Sequence, residues 1–228
     1  MRLLALDTSL DACSVAVLDG AGEDARLTQA SEVLGRGHAE RLMAMIGEVM
    51  AEAGATFASL DRIVVTTGPG SFTGLRVGLS AARGIALVVG APAVGVTTLA
   101  ALAEAGRRSA AFDPARPVHA VIAAKGNEVY VQGFAGDGTP LDAPRVAEVS
   151  ALAAALAEGD QLFGSGAASV ATCAAQRGLV VLGDAGWPDI CCVARLGRAA
   201  TAPEGPPEPL YLRPPDAKPA VRDTRLLA

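Results

Sequence analysis

The chain has 228 residues, of which 51% are hydrophobic, 19% charged and 4% aromatic. This composition excludes an intrinsically disordered acidic or basic protein. A chain of this length can bury roughly 70% of its unfolded surface without disulfides or metals. The formal net charge of −5 argues against tight binding of RNA or DNA by this chain alone, because nucleic-acid-binding domains carry a basic excess.

The first half of the sequence predicts alternating strands and helices. In chain order, the predicted elements are strands at residues 2–8, 13–19 and 25–30, a helix at 38–53, a strand at 63–67, a helix at 73–89, a strand at 93–96 and a helix ending at 107. A glycine-rich turn at residues 68–70 joins the fourth strand to the second helix.

The second half repeats this style. Its predicted elements are strands at residues 118–123 and 128–134, a helix after Ser150, a strand at 161–163, a helix at 167–177, a strand at 179–182 and a helix at 188–200. Alternating strands and helices favour a layered α/β fold, and two halves that each open with a strand hairpin favour duplication. We predict an N-terminal lobe at 1–108, a C-terminal lobe at 109–213 and an extended, proline-rich tail at 214–228.

The sequence predicts neither a metal site nor a membrane span. The four cysteines form no C-x-x-C motif, and the chain has only two histidines. The uncharged stretch Gly84–Ala103 is long enough to cross a bilayer, but Gly90, Pro92 and Gly95 interrupt it. It is better explained as a helix end, a buried strand and a new helix start. The apolar run at the N-terminus is too short for a signal peptide, so we expect a cytoplasmic protein.

Two polar segments are candidate phosphate sites. One is L-D-T-S-L-D at Leu6–Asp11, and the other is the glycine-rich turn within Thr66–Gly78, which precedes a helix N-terminus. Both also fit a purely structural role, as a polar hairpin turn and as a tight strand-to-helix turn. The second segment matches no P-loop or dinucleotide motif, because it lacks lysine and has Thr73 at the third glycine position. Pro69 excludes the nucleophile elbow.

The two helices beside this turn are apolar on more than one side. Four apolar residues of the first helix share a face: Leu42, Ile46, Val49 and Ala53. Four small residues of the second helix recur every four positions: Gly74, Gly78, Ala82 and Ala86. Either the monomer buries both faces, or the helix pair binds another protein, with Arg41, Arg76 and Arg83 at the rim.

Five sequence blocks resemble the TsaB (YeaZ) family: L-A-L-D-T-S-L-D-A-C-S-V-A-V, G-H-A-E-R-L, T-G-P-G-S-F-T-G-L-R-V-G-L-S-A-A-R-G-I-A-L, N-E-V-Y and E-P-L-Y-L-R. The resemblance runs in order from Leu4 to Arg213 and implies an α/β, two-lobed actin/Hsp70/sugar-kinase-like fold, each lobe a mixed sheet with flanking helices. It also implies service in the synthesis of N6-threonylcarbamoyladenosine in tRNA.

By this resemblance the protein is a non-catalytic subunit that binds and organises the catalytic subunit TsaD. TsaE joins that pair with ATP, the wider complex uses ATP and a metal, and tRNA is contacted through the complex only. Isolated chains are expected to form homodimers through the same helices. This chain alone is expected to hold no cofactor and no metal.

The resemblance assigns the partner interface to the two helices. The expected contact residues are His38, Arg41, Leu42, Met45, Ile46, Val49, Leu75, Arg76, Leu79, Ala82, Arg83 and Ala86. A degenerate nucleotide loop is expected at Asp7, Thr8, Gly68, Gly70 and Ser71. A charged residue at Leu42 or Leu79 is expected to abolish pairing while sparing the fold.

Two departures from the relatives' patterns favour a non-catalytic role. The stretch G-V-T-T-L-A-A-L lacks the H-x-x-x-H metal motif of TsaD, and Ala123-Ala124-Lys125 replaces the D-A-R often found in the family. Two alternatives stay open: a phosphotransferase of the same fold that uses Asp7 and the glycine loop, and a peptidase that uses Ser71.

Overall fold

The N-terminal part of the chain forms a five-stranded mixed sheet. The computed structural model describes residues 1–22, 25–201 and 205–213. The strands of this first sheet are β1 (Arg2–Asp7), β2 (Ala12–Asp19), β3 (Arg26–Val33), β4 (Arg62–Gly68) and β5 (Ala93–Thr97). Their order is β3-β2-β1-β4-β5, with β1, β2 and β3 antiparallel and β1, β4 and β5 parallel.

A second sheet repeats this arrangement. Its strands are β6 (Val118–Ala123), β7 (Glu128–Phe134), β8 (Arg145–Glu148), β9 (Gln161–Phe163) and β10 (Val180–Gly183). Read from β8, the order is β8-β7-β6-β9-β10, which matches the first sheet strand for strand. The duplicated α/β fold of the actin/Hsp70/sugar-kinase type is therefore confirmed.

In the described residues, six α-helices cover the sheets: α1 (His38–Glu52), α2 (Phe72–Val89), α3 (Thr98–Arg107), α4 (Val149–Ala155), α5 (Ala167–Cys173) and α6 (Ile190–Ala199). The alternation of β1 explains the layers, because Leu4 and Leu6 face α1 and α2 while Leu3 and Ala5 face α6. α3 lies between the lobes, since Leu99 and Leu102 pack against the second sheet.

α6 packs on the first sheet. Although it falls within the predicted C-terminal lobe, Ile190 and Val193 pack on the outer face of the first sheet. Gly197 permits this approach, because a Cβ there would lie 2.2 Å from Cγ1 of Val64. Arg62 fixes the end of the helix by donating to the Gly197 carbonyl at 2.7 Å. Periodicity predicts that a helix forms, but it does not predict which sheet covers its apolar face.

Smaller differences concern single elements. β8 is absent from the sequence prediction, and the helix predicted at 167–177 divides into α5 and a 3-10 turn at Ala175–Arg177. The stretch Gly84–Ala103 is, as predicted, a helix end, a strand and a helix start. The predicted tail at 214–228 lies outside the described residues.

In the part of the chain that the structure describes, α2 is the one helix whose length and apolar composition would allow it to cross a bilayer. Length and composition alone are weak evidence for a span. Only 33% of the helix is buried, because one face packs on the first sheet and the other remains exposed.

Candidate functional site

Asp7 ends β1 in the interior of the first lobe. Its Oδ1 accepts a 2.6 Å hydrogen bond from the Thr66 hydroxyl and a 3.0 Å bond from the Ser9 amide. Oδ2 has no hydrogen-bond partner among the described residues. Burial raises the pKa of Asp7 above its ordinary value of 3.8, although both hydrogen bonds oppose that shift. Burial therefore disfavours the charged form of this carboxyl, and the two hydrogen bonds to Oδ1 favour it.

The chain itself fills the glycine-rich turn. A Cβ at Gly70 would lie 2.1 Å from the Ser9 carbonyl oxygen, and a Cβ at Gly74 would lie 2.1 Å from the Thr8 carbonyl oxygen. Thr8 also donates its hydroxyl hydrogen to the Gly74 carbonyl at 2.7 Å. The small residues of α2 thus receive the β1–β2 turn of the same chain.

At the start of α2, Ser71 forms two hydrogen bonds within the chain. The Ser71 amide donates to the Ser9 carbonyl at 2.7 Å, and the Ser71 hydroxyl accepts from the Gly74 amide at 3.3 Å. The Ser71 amide and hydroxyl are thus bonded within the chain, and the degenerate nucleotide loop expected at Asp7, Thr8, Gly68, Gly70 and Ser71 stays a prediction.

The histidines do not support a peptidase triad. His38 contacts the Leu10 carbonyl oxygen through Nε2 at 3.0 Å, and His119 contacts Asp160 at 3.2 Å. Within the described ranges, neither ring hydrogen-bonds to Ser71, whose hydroxyl caps α2. The same ranges contain no group of three potential metal ligands.

Most of the expected interface residues are buried in the monomer. His38 is buried with its ring on the Leu10 carbonyl oxygen. The other buried residues pack in one core cluster with the first sheet: Leu42, Met45, Ile46, Val49, Leu75, Leu79, Ala82 and Ala86. Their spacing identifies the buried faces of α1 and α2 correctly, but the sheet of the same chain covers those faces. In the isolated chain these nine side chains are covered, so their direct contact with a partner stays a prediction.

The three expected rim arginines also have intramolecular partners. Arg41 forms ion pairs with Glu32 at 2.6 Å and with Glu48 at 2.7 Å. These bonds lower the pKa of both carboxyl groups and raise that of the guanidinium. Arg76 and Arg83 bond to the segment at residues 205–213, through Tyr211 and the Pro207 carbonyl.

An exposed apolar groove remains between α1 and α2. We define the α1–α2 groove by the residues lining two adjoining hollows of about 570 and 360 Å³, chiefly Met43, Phe57, Phe72, Arg76, Val77, Ser80, Ala81, Gly84 and Val88. Met43, Ser80 and Ala81 line both hollows, so the groove is continuous.

Large apolar side chains are exposed along this groove. Met43 is 54% exposed, Phe72 38% and Val88 84%, and Leu87 at the same end of α2 is 85% exposed. Such contiguous exposure is typical of protein-interaction surfaces. The sequence contains a signal for this exposed surface. Starting at Phe72, every fourth residue up to Val88 lies on a face of α2 other than the buried one.

Comparison with known proteins gives matches under two names, TsaD and TsaB. A family model described as TsaD, tRNA N6-adenosine threonylcarbamoyltransferase, matches residues 30–177. Proteins named tRNA threonylcarbamoyladenosine biosynthesis protein TsaB, from Haemophilus influenzae and Escherichia coli, are 42% and 35% identical over 132 and 130 residues. Each alignment covers 57% of this chain, and 52% and 53% of those proteins. The chain thus spans about half the length of these curated relatives.

The solved structure of YeaZ from Pseudomonas aeruginosa decides the assignment. It matches with a TM-score of 0.73 at 30% identity, over 92% of this chain and 99% of that one. The chain belongs to the TsaB (YeaZ) family. The resemblance carried by the sequence blocks is therefore confirmed. Membership of the TsaB family supports involvement in the synthesis of threonylcarbamoyladenosine in tRNA.

Proposed function

We propose that this chain is a cytoplasmic, non-catalytic subunit of the system that makes N6-threonylcarbamoyladenosine in tRNA. Its task is to bind and organise the catalytic subunit TsaD through the α1–α2 groove. The observation that carries this proposal is the continuous apolar groove with Met43 and Val88 exposed on it. The filled glycine loop also supports a binding role over a catalytic one.

The proposed mechanism uses binding energy. Covering the groove removes apolar surface from water, which favours the arrangement of TsaD that fits the groove. In the same proposal TsaE joins the pair with ATP, the wider complex supplies ATP and the metal, and tRNA is held by the complex. An isolated chain has the same exposed groove, so homodimerisation through it is part of the proposal.

The test uses substitutions on the exposed surface. Met43→Glu and Val88→Glu place a charge in the groove, whereas Leu141→Glu places one at a 58% exposed apolar residue of the second lobe. We expect the two groove variants to lose co-purification with TsaD from the same organism, while the control variant retains it. The modification of tRNA, assayed with TsaD, TsaE and the pathway's other components, should fall with the loss of binding.

Normal TsaD binding by both groove variants would contradict the placement of the interface. Undiminished tRNA modification after omission of this chain would contradict the proposed subunit role. Thermal unfolding of each variant shows whether the fold has survived, and we expect it to survive because both positions are exposed.

A further inference from the structure

Hydrogen bonds hold the segment at residues 205–213 against the first lobe, and we call this segment the C-terminal strap. Arg83 of α2 donates to the Pro207 carbonyl oxygen from Nε at 3.0 Å and from Nη2 at 2.5 Å. The Leu210 amide donates to the Thr67 carbonyl at 2.7 Å. The strap is thus fixed to both α2 and the end of β4.

Glycines leave room for the strap. A Cβ at Gly68 would lie 3.0 Å from the Leu210 carbonyl oxygen, and a Cβ at Gly95 would lie 3.2 Å from Cβ of Pro207. At its end, Arg213 forms an ion pair with Glu128 of the second lobe. This close packing means that the strap positions its side chains on the first lobe.

The strap places Tyr211 against the first turn of α2. The Tyr211 and Phe72 rings have centroids 5.1 Å apart, and the Arg76 guanidinium carbon lies 3.8 Å from the Phe72 centroid. Arg76 donates from Nε to the Tyr211 hydroxyl at 3.2 Å. One nitrogen and one face of the guanidinium are therefore held, and the orientation of its planar fork is set.

Arg76 lacks the partner that its chemistry favours. Among the residues that the structure describes, no carboxylate pairs with it, in contrast to Arg41, which has two. Its side chain lines the α1–α2 groove beside Met43 and Val77. A guanidinium held by stacking, with its terminal nitrogens unpaired among residues 1–22, 25–201 and 205–213, matches the bidentate geometry of a carboxylate.

We propose that Arg76 binds an Asp or Glu side chain of the protein docked in the groove. Phe72 of α2 and Tyr211 of the strap fix the orientation of its guanidinium before binding. This inference rests on the proposed function, because it takes TsaD as that protein. The surface of TsaD that would be complementary to the α1–α2 groove has an apolar stripe, which fills the groove, and one carboxylate at the edge of that stripe, which pairs with Arg76. Pre-organisation lowers the entropy lost on binding, so the contact is expected to contribute more than an ordinary surface ion pair.

The test measures the dissociation constant of the full chain with TsaD by calorimetry, at about 0.05 M and about 0.5 M salt. Arg76→Gln removes the charge, and Arg76→Lys keeps the charge but loses the planar fork. Tyr211→Phe removes the hydroxyl that holds Nε. The matched control is Arg195→Gln, since Arg195 is an exposed arginine of α6, on the opposite face of the sheet.

We expect Arg76→Gln to weaken binding by roughly 10- to 100-fold at low salt, as for a charged hydrogen bond, and to reduce its salt dependence. Arg76→Lys should recover little of the lost affinity, Tyr211→Phe should show a smaller loss, and Arg195→Gln should bind normally. Alanine substitution of exposed acidic residues of TsaD should identify one whose effect is not additive with that of Arg76→Gln.

Two results would overturn the inference while leaving the proposed function intact. One is TsaD binding by Arg76→Gln within about twofold of the unaltered chain while Met43→Glu abolishes it. The other is full recovery by Arg76→Lys with no non-additive acid on TsaD. Failure of the unaltered chain to bind TsaD at all would instead remove the proposed function itself.

Discussion

The Thr66 hydroxyl donates a 2.6 Å hydrogen bond to Oδ1 of Asp7, in a position where neither side chain reaches solvent. The other carboxyl oxygen of Asp7 has no hydrogen-bond partner among the described residues. Ser14 lies opposite Asp7 in the register of β1 and β2, and its hydroxyl also has no hydrogen-bond partner among those residues. A protonated carboxyl suits this environment, because it carries no charge into the interior.

The contribution of Asp7 to the free energy of unfolding is expected to fall as the pH rises above the ordinary carboxyl range. Because burial raises the pKa of Asp7 above 3.8, the unfolded chain ionises first and the folded chain keeps the proton. Stability is therefore lost from the unfolded pKa upward until the pH passes the folded pKa. Asp7→Asn keeps the oxygen that accepts from Thr66 and cannot ionise, so the loss should be absent from this variant.

Urea unfolding from pH 4 to pH 8 measures this difference. The matched control is Asp11→Asn, which changes an exposed carboxylate in the same hairpin and should follow the pH profile of the unaltered chain. Parallel profiles for Asp7→Asn and the unaltered chain would show that Asp7 is not the group responsible.

Two glycines of α2 should respond oppositely to alanine. At Gly74 a Cβ would meet the Thr8 carbonyl oxygen at 2.1 Å, whereas a Cβ at Gly84 would have nothing within 4 Å. We expect Gly74→Ala to destabilise the fold by about 1–3 kcal/mol through overpacking. Gly84→Ala should stabilise it by about 0.5–1 kcal/mol, because alanine loses less backbone entropy in a helix. Denaturant unfolding measures both, and equal effects would contradict the close approach of Thr8.

The four small residues that recur along α2 show how far the sequence predicts this site. The four-residue spacing of Gly74 and Gly78 predicts correctly that a backbone lies close to α2. It does not say whose backbone, and the structure shows that the β1–β2 turn of the same chain lies there. The hydroxyl of Thr8 would be 2.5 Å from a Cβ at Gly78. Such contacts depend on the three-dimensional path of the chain, which local periodicity does not contain.

The apolar seam of α1 has the same limit. Periodicity predicts that Leu42, Ile46 and Val49 share a face, and the structure confirms it. The wide apolar arc divides into a buried centre and an exposed flank that includes Met43. The positions of β1, β2 and β4 determine which part of the arc faces the sheet. The sequence pattern alone therefore left open whether the same chain or a partner covers the buried centre.

Adjacent residues of α1 should therefore separate stability from binding. Leu42 is buried in the core, so Leu42→Ala is expected to cost about 2–5 kcal/mol of stability. A charge at Leu42 or Leu79 should unfold the protein rather than spare it. Met43→Ala should change stability by no more than about 0.5 kcal/mol, yet weaken TsaD binding. Unfolding curves and binding assays on the same preparations measure both, and a large stability loss at Met43 would contradict its exposure.

The four thiols should differ sharply in reactivity. Burial raises the pKa of Cys13 to about 11 and that of Cys192 to about 12, so almost none of either is thiolate at neutral pH. Cys173 is exposed, and Cys191 is half-buried with its sulfur 3.3 Å from Nε of Arg195.

Since the thiolate is the reactive form, a disulfide reagent at about pH 8 should label Cys173 first and leave Cys13 and Cys192 unmodified until the chain unfolds. Peptide mass spectrometry after timed labelling identifies each site, and denatured protein, in which all four should react, is the control. Rapid labelling of Cys192 in the native protein would show that α6 leaves the first sheet on the timescale of the reaction, and it would contradict the tight contact of Gly197 with Val64.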